Sequence, residues 1–238
     1  MYRKMAKTRE PLPHPQRNVL RRLALVHADL DACTACPEMI RPVVHGVAVD
    51  SRVMLIGQAP GPREGSFGRP FAWTAGKTLF RWFTESVGAD EETFRARVYI
   101  AAVARCFPGK ASGGGDRRPD PGEIERCKTF LEREVAILEP DLVLPVGTMA
   151  IEQTLGHKGP LSLVVGTVKR ARYHGRAVDV IALPHPSGAS TWHRTEPGKT
   201  LLAKALALVA AHPAIKAAFD GTVRVPVLAS GSVDGAPS

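Results

Sequence analysis

The 238-residue chain has no apolar run near the roughly 20 residues that a membrane-spanning helix requires. Its first residues include Arg3, Lys4, Lys7, Arg9, Pro11, Pro13 and Pro15 but no apolar core of the kind a secretory signal carries. Export is therefore not expected, and the expected location is the bacterial cytoplasm, beside the nucleoid. No internal repeat is present, which excludes repeat architectures. Acidic residues are few, 23 Asp and Glu against 32 Lys and Arg, a formal net charge of +9. A basic surface attracts polyanions, so nucleic acid leads the partner classes. No basic amphipathic helix with an exposed apolar face is evident, which disfavours a membrane surface. Cysteine is scarce: Cys33, Cys36, Cys106 and Cys127. In a cytosolic chain, four such residues suggest metal or redox chemistry before disulfides.

Three regions are expected: a basic arm over 1–25, with a helical stretch from Pro15, one catalytic domain over 26–212, and a flexible tail over 213–238 that thins into GSVDGAPS. Within the domain, strand and helix patterns alternate. Val53–Ile56, Val98–Val103, Leu142–Val146, Val164–Val168 and Val178–Leu183 read as strands. Thr74 is the expected cap of a helix with Leu79, Phe80, Phe83 and Val87 on one face and Gly88 as its stop. Asp120-Pro121-Gly122-Glu123 is a strong helix start, after which Ile124, Cys127, Leu131, Val135 and Leu138 share a face. A short helix ending near Gly156 and a last one carrying Leu201, Leu202, Ala205, Leu206 and Val209 complete the pattern. This alternation predicts an α/β fold, a single-domain three-layer sandwich with a mostly parallel central sheet flanked by helices.

In such folds sites form in the loops beyond the carboxyl ends of strands. The loop after Ile56 runs Gly57-Gln58-Ala59-Pro60-Gly61-Pro62-Arg63-Glu64 and continues through Arg69 to Phe71. Its glycines allow backbone N–H groups to approach a ligand. A phosphate-binding P-loop is excluded, because Gly76-Lys77-Thr78 has Phe71 and Gly198-Lys199-Thr200 has His193 where that motif needs its first glycine. The loop after Leu183 carries His185, Ser187, Gly188, Ala189, Ser190, Trp192, His193 and Arg194. A His at a strand end can support an anionic leaving group, and the small hydroxyl residues can grip a phosphate backbone.

GQAPG followed by GRPF, the CxxC pair, RCFPG and LPHPSGAS occur in one order along the chain. Together they resemble the uracil-DNA glycosylase superfamily, and within it the family-4 enzymes, from about Cys33 to the final helix. The resemblance implies removal of a deaminated base from double- or single-stranded DNA by hydrolysis of its N-glycosidic bond, by a chain expected to be a monomer. It implies base contacts from Gly57, Gln58 and Ala59, stacking by Phe71 on a flipped base, and Glu64 beside the C5 edge of uracil. It implies that His185 stabilises charge on the departing base, with Glu64 and Gln58 assisting catalysis. Ser187, Gly188, Ala189, Ser190, Trp192, His193 and Arg194 are implied as DNA contacts. Cys33, Cys36, Cys106 and Cys127 are implied ligands of a structural 4Fe-4S cluster, a site that zinc would also fit.

Four departures from the family pattern stand out. Ala59 occupies the position where some members carry a water-positioning Asp, and Ala102 the position of a uracil-reading Asn. That loss should weaken discrimination by about 1–3 kcal/mol. It raises hypoxanthine or xanthine as alternative substrates, and non-catalytic DNA binding as an alternative role. Ala189 replaces a bulky wedge, which Trp192 or His193 would have to supply. Finally, an insertion over 111–118 brings Asp116, Arg117 and Arg118 between the last two cysteines, either as a spacer or as a source of the missing contacts.

Overall fold

The computed structural model describes residues 14–220. Five strands form one sheet: β1 (Val53–Gly57), β2 (Tyr99–Ala102), β3 (Leu142–Pro145), β4 (Lys169–Tyr173) and β5 (Arg176–Val180). The order is β2-β1-β3-β5-β4. β1 is parallel to β2 and to β3, β3 is parallel to β5, and β4 runs antiparallel along the edge of β5. The helices are α1 (His14–Ala32), α2 (Glu64–Phe67), α3 (Thr74–Val87), α4 (Glu91–Arg97), α5 (Pro121–Leu138), α6 (Thr148–Leu155), α7 (Gly198–Ala211) and α8 (Pro213–Phe219). None is by itself long and apolar enough to cross a membrane.

The period-two geometry of β1 divides the interior into two cores. Val53 and Leu55 point to one face, where they join Phe80 and Phe83 of α3, Phe94 of α4 and Leu206 and Val209 of α7. Met54 and Ile56 point to the other, with Leu23 of α1, Leu131 and Val135 of α5 and Met149 of α6. Both faces are covered, as an apolar parallel strand requires. The expected three-layer α/β sandwich is therefore present. The start of α5 is also as expected. The Asp120 carboxylate accepts from Glu123 N at 2.8 Å, and the Glu123 carboxylate accepts from Asp120 N at 2.8 Å.

Several expectations need correction. Val164–Val168 is not a strand: Val165 forms one bridge to Ala182, and Gly166 at φ +79° ends it. The strand that follows, β4, reads Lys-Arg-Ala-Arg-Tyr and had no apolar alternation to mark it. Its charges suit an edge, where they discourage pairing with other chains. Thr74 does not cap α3; it is the first helical residue, and Trp73 stands at the cap without a side-chain hydrogen bond. Residues expected in the tail form α8, where Ile215 is buried. The arm expected over 1–25 is helical from His14, with Leu20 and Leu23 in the core. Residues 1–13 and 221–238 of the expected arm and tail lie outside the described residues.

The chain passes from β1 to β2 on one side and then crosses to β3 on the other. The loops leaving β1 and β3 therefore diverge, and a crevice opens beyond their carboxyl ends.

Candidate active site

A cleft of about 600 Å³ occupies this crevice. Gly57, Gln58, Ala59, Glu64, Phe71, Ala102, His185, Ser187, Ala189 and Ser190 all line it. The loops after β1, β2 and β5 thus meet as the sequence predicts. Gly188 and Arg194 are exposed and are not among the lining residues. Trp192 and His193 do not reach the cleft either. Trp192 packs against the core, and His193 is buried with its ring 5.2 Å from that of Trp82. Neither of the two expected wedge residues is therefore among those lining the cleft.

The first loop is held by its own residues. Glu64 is buried, and its two carboxylate oxygens accept from Gly61 N at 2.8 Å and from Ala72 N at 3.0 Å. Burial raises its pKa, against the opposing pull of those N–H groups. Phe71 adopts φ +55°, a left-handed conformation rare for a bulky side chain. Its carbonyl accepts from Arg95 Nη2 at 3.0 Å. A Cβ on Gly76 would lie 1.7 Å from that carbonyl oxygen, so only glycine lets α3 approach this closely. The Phe71 ring in turn covers Gly57, where an added Cβ would meet it at 2.9 Å. The glycine of the second GKT tripeptide plays the same part: a Cβ on Gly198 would sit 1.9 Å from the Trp192 carbonyl oxygen. Both rejected phosphate-loop look-alikes are therefore close-packing sites at helix starts.

His185 faces the opposite wall. Ser187 N donates to its Nδ1 at 3.2 Å, so the neutral ring carries its proton on Nε2. Burial, and then His193, lower its pKa, while Asp116 opposes them. The neutral form is thus favoured, with Nε2–H available as a donor. Gly147, at φ +86°, makes room for the ring: a Cβ there would be 3.1 Å from His185 Cδ2.

Ala102 offers the cleft only a methyl group, and its carbonyl accepts from Arg105 Nε at 2.9 Å. The guanidinium of Arg105 is buried and paired with Glu134 at 2.5 Å. Gly115, Asp116 and Arg117 of the insertion line the cleft. Arg117 N donates to Gly109 O at 2.9 Å, and Lys110 Nζ pairs with Asp116 at 2.6 Å. The Arg117 guanidinium is held by Glu123 at 2.7 Å. The insertion is therefore more than a spacer. The sequence reading misses Arg95 and Gly147. A glycine directly after a buried strand was the available signal for Gly147, and nothing around Arg95 marks it.

The four cysteines line one separate cavity of about 190 Å³. Among the described residues, no three His, Cys, Asp or Glu side chains are grouped closely enough to hold a single metal ion. The walls are basic. Arg126 Nε donates to Cys36 Sγ at 3.2 Å, and Arg41 donates to the Cys33 and Asp31 carbonyls. Burial, with the neighbouring thiolates, pushes the Cys106 thiol up to about 11. Ala59 packs against the cluster of Met39, Ala104 and Cys127, and it also lines the cleft. The two cavities share this wall, and a charged side chain there would be pressed against the cysteines.

Residues 44–210 match the family model described as the uracil DNA glycosylase superfamily. A type-4 uracil-DNA glycosylase of Thermotoga maritima is 32% identical over 132 residues, 54% of this chain and 64% of that protein. One of Pyrobaculum aerophilum is 29% identical over 161 residues, 66% of this chain and 77% of the relative. A type-5 uracil-DNA glycosylase of Pyrobaculum aerophilum is 29% identical over 162 residues, 62% of this chain and 66% of that protein. The matched stretch thus spans a little under two thirds of the Thermotoga protein's length.

Proposed function

Because this chain belongs to the uracil DNA glycosylase superfamily, we propose that it excises uracil from DNA by hydrolysing the N-glycosidic bond, leaving an abasic site. The observation that carries this reading is the neutral His185, fixed by Ser187 N with its Nε2–H free, across a cleft walled by Phe71. An extruded base stacks on Phe71, and as the bond lengthens His185 donates to the oxygen that gains charge. Of the carboxylates lining the cleft, Glu64 is committed to the backbone of the first loop, and Asp116, paired with Lys110 at 2.6 Å, is the one that can face the electron-poor sugar. Water completes the hydrolysis. Ser187 and Ser190 contact the flanking phosphates.

Cys33, Cys36, Cys106 and Cys127 would hold a 4Fe-4S cluster, which supplies a structural crosslink between the N-terminal segment, the loop after β2 and α5. Support comes from the four cysteines lining one cavity whose walls carry Arg41 and Arg105. Iron and acid-labile sulfide analysis of anaerobically purified protein tests this, with about four of each per chain expected.

The activity test is incubation with a labelled oligonucleotide carrying one uracil, followed by alkali. Strand breakage at the uracil and none in a thymine control is the expected result. Ala102, which offers no side-chain hydrogen bond to a base edge, favours a second reading: excision of hypoxanthine or xanthine. Breakage at those bases and not at uracil would replace the first reading with the second.

A further inference from the structure

Phe67 and Trp73 are the only exposed aromatic side chains among the described residues, 48% and 40% exposed. Single exposed apolar side chains are ordinary, whereas a contiguous exposed patch beside a cleft marks a binding surface. These two are organised. Their rings stack at 5.8 Å with 28° between planes, and the Arg63 guanidinium lies 4.6 Å over the Trp73 ring. Arg63 makes no ion pair among the described residues. The group is also continuous with the cleft, since Arg63 and Trp73 line it together with Phe71 and His185. Its mounting is stiff: α2 ends at Gly68 in a left-handed cap, and Glu64 and Gly76 fix the backbone on either side.

The opposite rim is the reverse. Ala189 is small, and Trp192 is half-buried, packed against the core and not among the lining residues. Beyond His185, that rim lines the cleft with Ser187, Ala189 and Ser190, none of them large enough to refill the gap that an extruded base leaves in a duplex stack. A strand already unpaired leaves no such gap, and its bases need a stacking surface instead.

We propose that Phe67, Trp73 and Arg63 form a stacking platform for the base next to the extruded nucleotide, and that this platform makes single-stranded DNA the favoured ligand. The two rings take a base face, and Arg63 meets the adjoining phosphate while keeping its contact with Trp73. The proposal rests on the DNA reading above but not on turnover, and its test is one of binding.

The full chain is titrated with a uracil-free single-stranded oligonucleotide carrying a tetrahydrofuran abasic analogue beside 2-aminopurine, and with the matching duplex. Fluorescence anisotropy reads affinity, and 2-aminopurine quenching reads stacking. Wild type should bind the single strand more tightly and quench the probe. Trp73→Ala and Phe67→Ala should each weaken single-strand binding by about 5- to 100-fold and relieve the quenching. Duplex affinity should change less than about twofold, and Trp73→Phe should restore most of the binding. Both positions are exposed, and unchanged thermal midpoints verify folding. Wild-type single-strand affinity and quenching retained in both alanine variants would overturn the platform. So would an equal loss on single strand and duplex. Self-association of wild type that Trp73→Ala abolishes, with DNA affinity intact, would assign the rings to a protein contact instead. Wild type that binds neither DNA defeats the DNA reading itself.

Discussion

His185 and Glu64 look alike in the sequence, two titratable residues in two suspect loops, yet the structure gives them different work. The His185 ring is held neutral by burial, with Nδ1 occupied by Ser187 N. Its lowered pKa means that the neutral donor persists below the ordinary value of 6.5. Single-turnover rates should therefore stay flat from neutral pH to below pH 6.5, and fall only when the ring takes a second proton and loses the Ser187 bond. A decline centred at or above 6.5 would exclude this assignment. Glu64 is a clasp. Glu64→Gln keeps one acceptor for two N–H donors and should lose part of the activity. Glu64→Ala leaves both donors without it and should lose activity together with about 1–3 kcal/mol of stability, read from urea midpoints. The sequence showed that these residues share a site. It did not show which of them is tied to the backbone, because that depends on where two N–H groups, Gly61 and Ala72, happen to point.

At the scale of elements, what was legible was what repeats locally. The capping box of α5, the apolar runs of β1 and β3 and the glycine stop of α3 depend on residues within a few positions of one another. β4 was illegible because its pairing partner, not its composition, makes it a strand. The buried pair of Arg105 on the β2 loop and Glu134 on α5 was illegible for a similar reason, as the two are 29 residues apart. Burial works against the charge on Arg105, and Glu134 and Tyr99 outweigh it. Arg105→Met leaves a fully buried Glu134 without its cation and should cost about 3–5 kcal/mol. The double variant Arg105→Met with Glu134→Leu should recover much of that loss. Chemical denaturation of the three proteins measures both, and a double variant as weak as the single would show that the ion pair does more than neutralise itself.

Across the whole molecule, the two cores meet at a sheet whose one face carries a polar seam. His27 of α1 hydrogen-bonds Tyr99 of β2 at 2.9 Å and stacks on His45 at 4.0 Å. Burial, with the charges of His45 and Arg105, lowers its pKa from 6.5 to about 3. The sign follows directly. Between those values the unfolded chain binds a proton that the folded chain refuses, so stability is full above 6.5 and is lost as pH falls. The loss approaches about 1.4 kcal/mol per pH unit. Urea midpoints at pH 7 and pH 5 should differ in wild type and differ less in His27→Gln. A net charge of +9 pointed to the class of partner without saying where on the surface it sits. The cleft was placed by fold logic and by the order of the motifs, while the aromatic lip emerged only when Phe67 and Trp73 came together in space.

The left-handed Phe71, locked between Arg95, Gly76 and the Glu64 clasp, has a consequence for time. A receptor that must shape its pocket around each visitor spends its own folding time on every candidate along a strand. Here the pocket wall is finished before any strand arrives. On the proposed function, the dwell on each nucleotide would then be set by how long that nucleotide takes to swing out, and an ordinary base that does not swing would be passed over without delay.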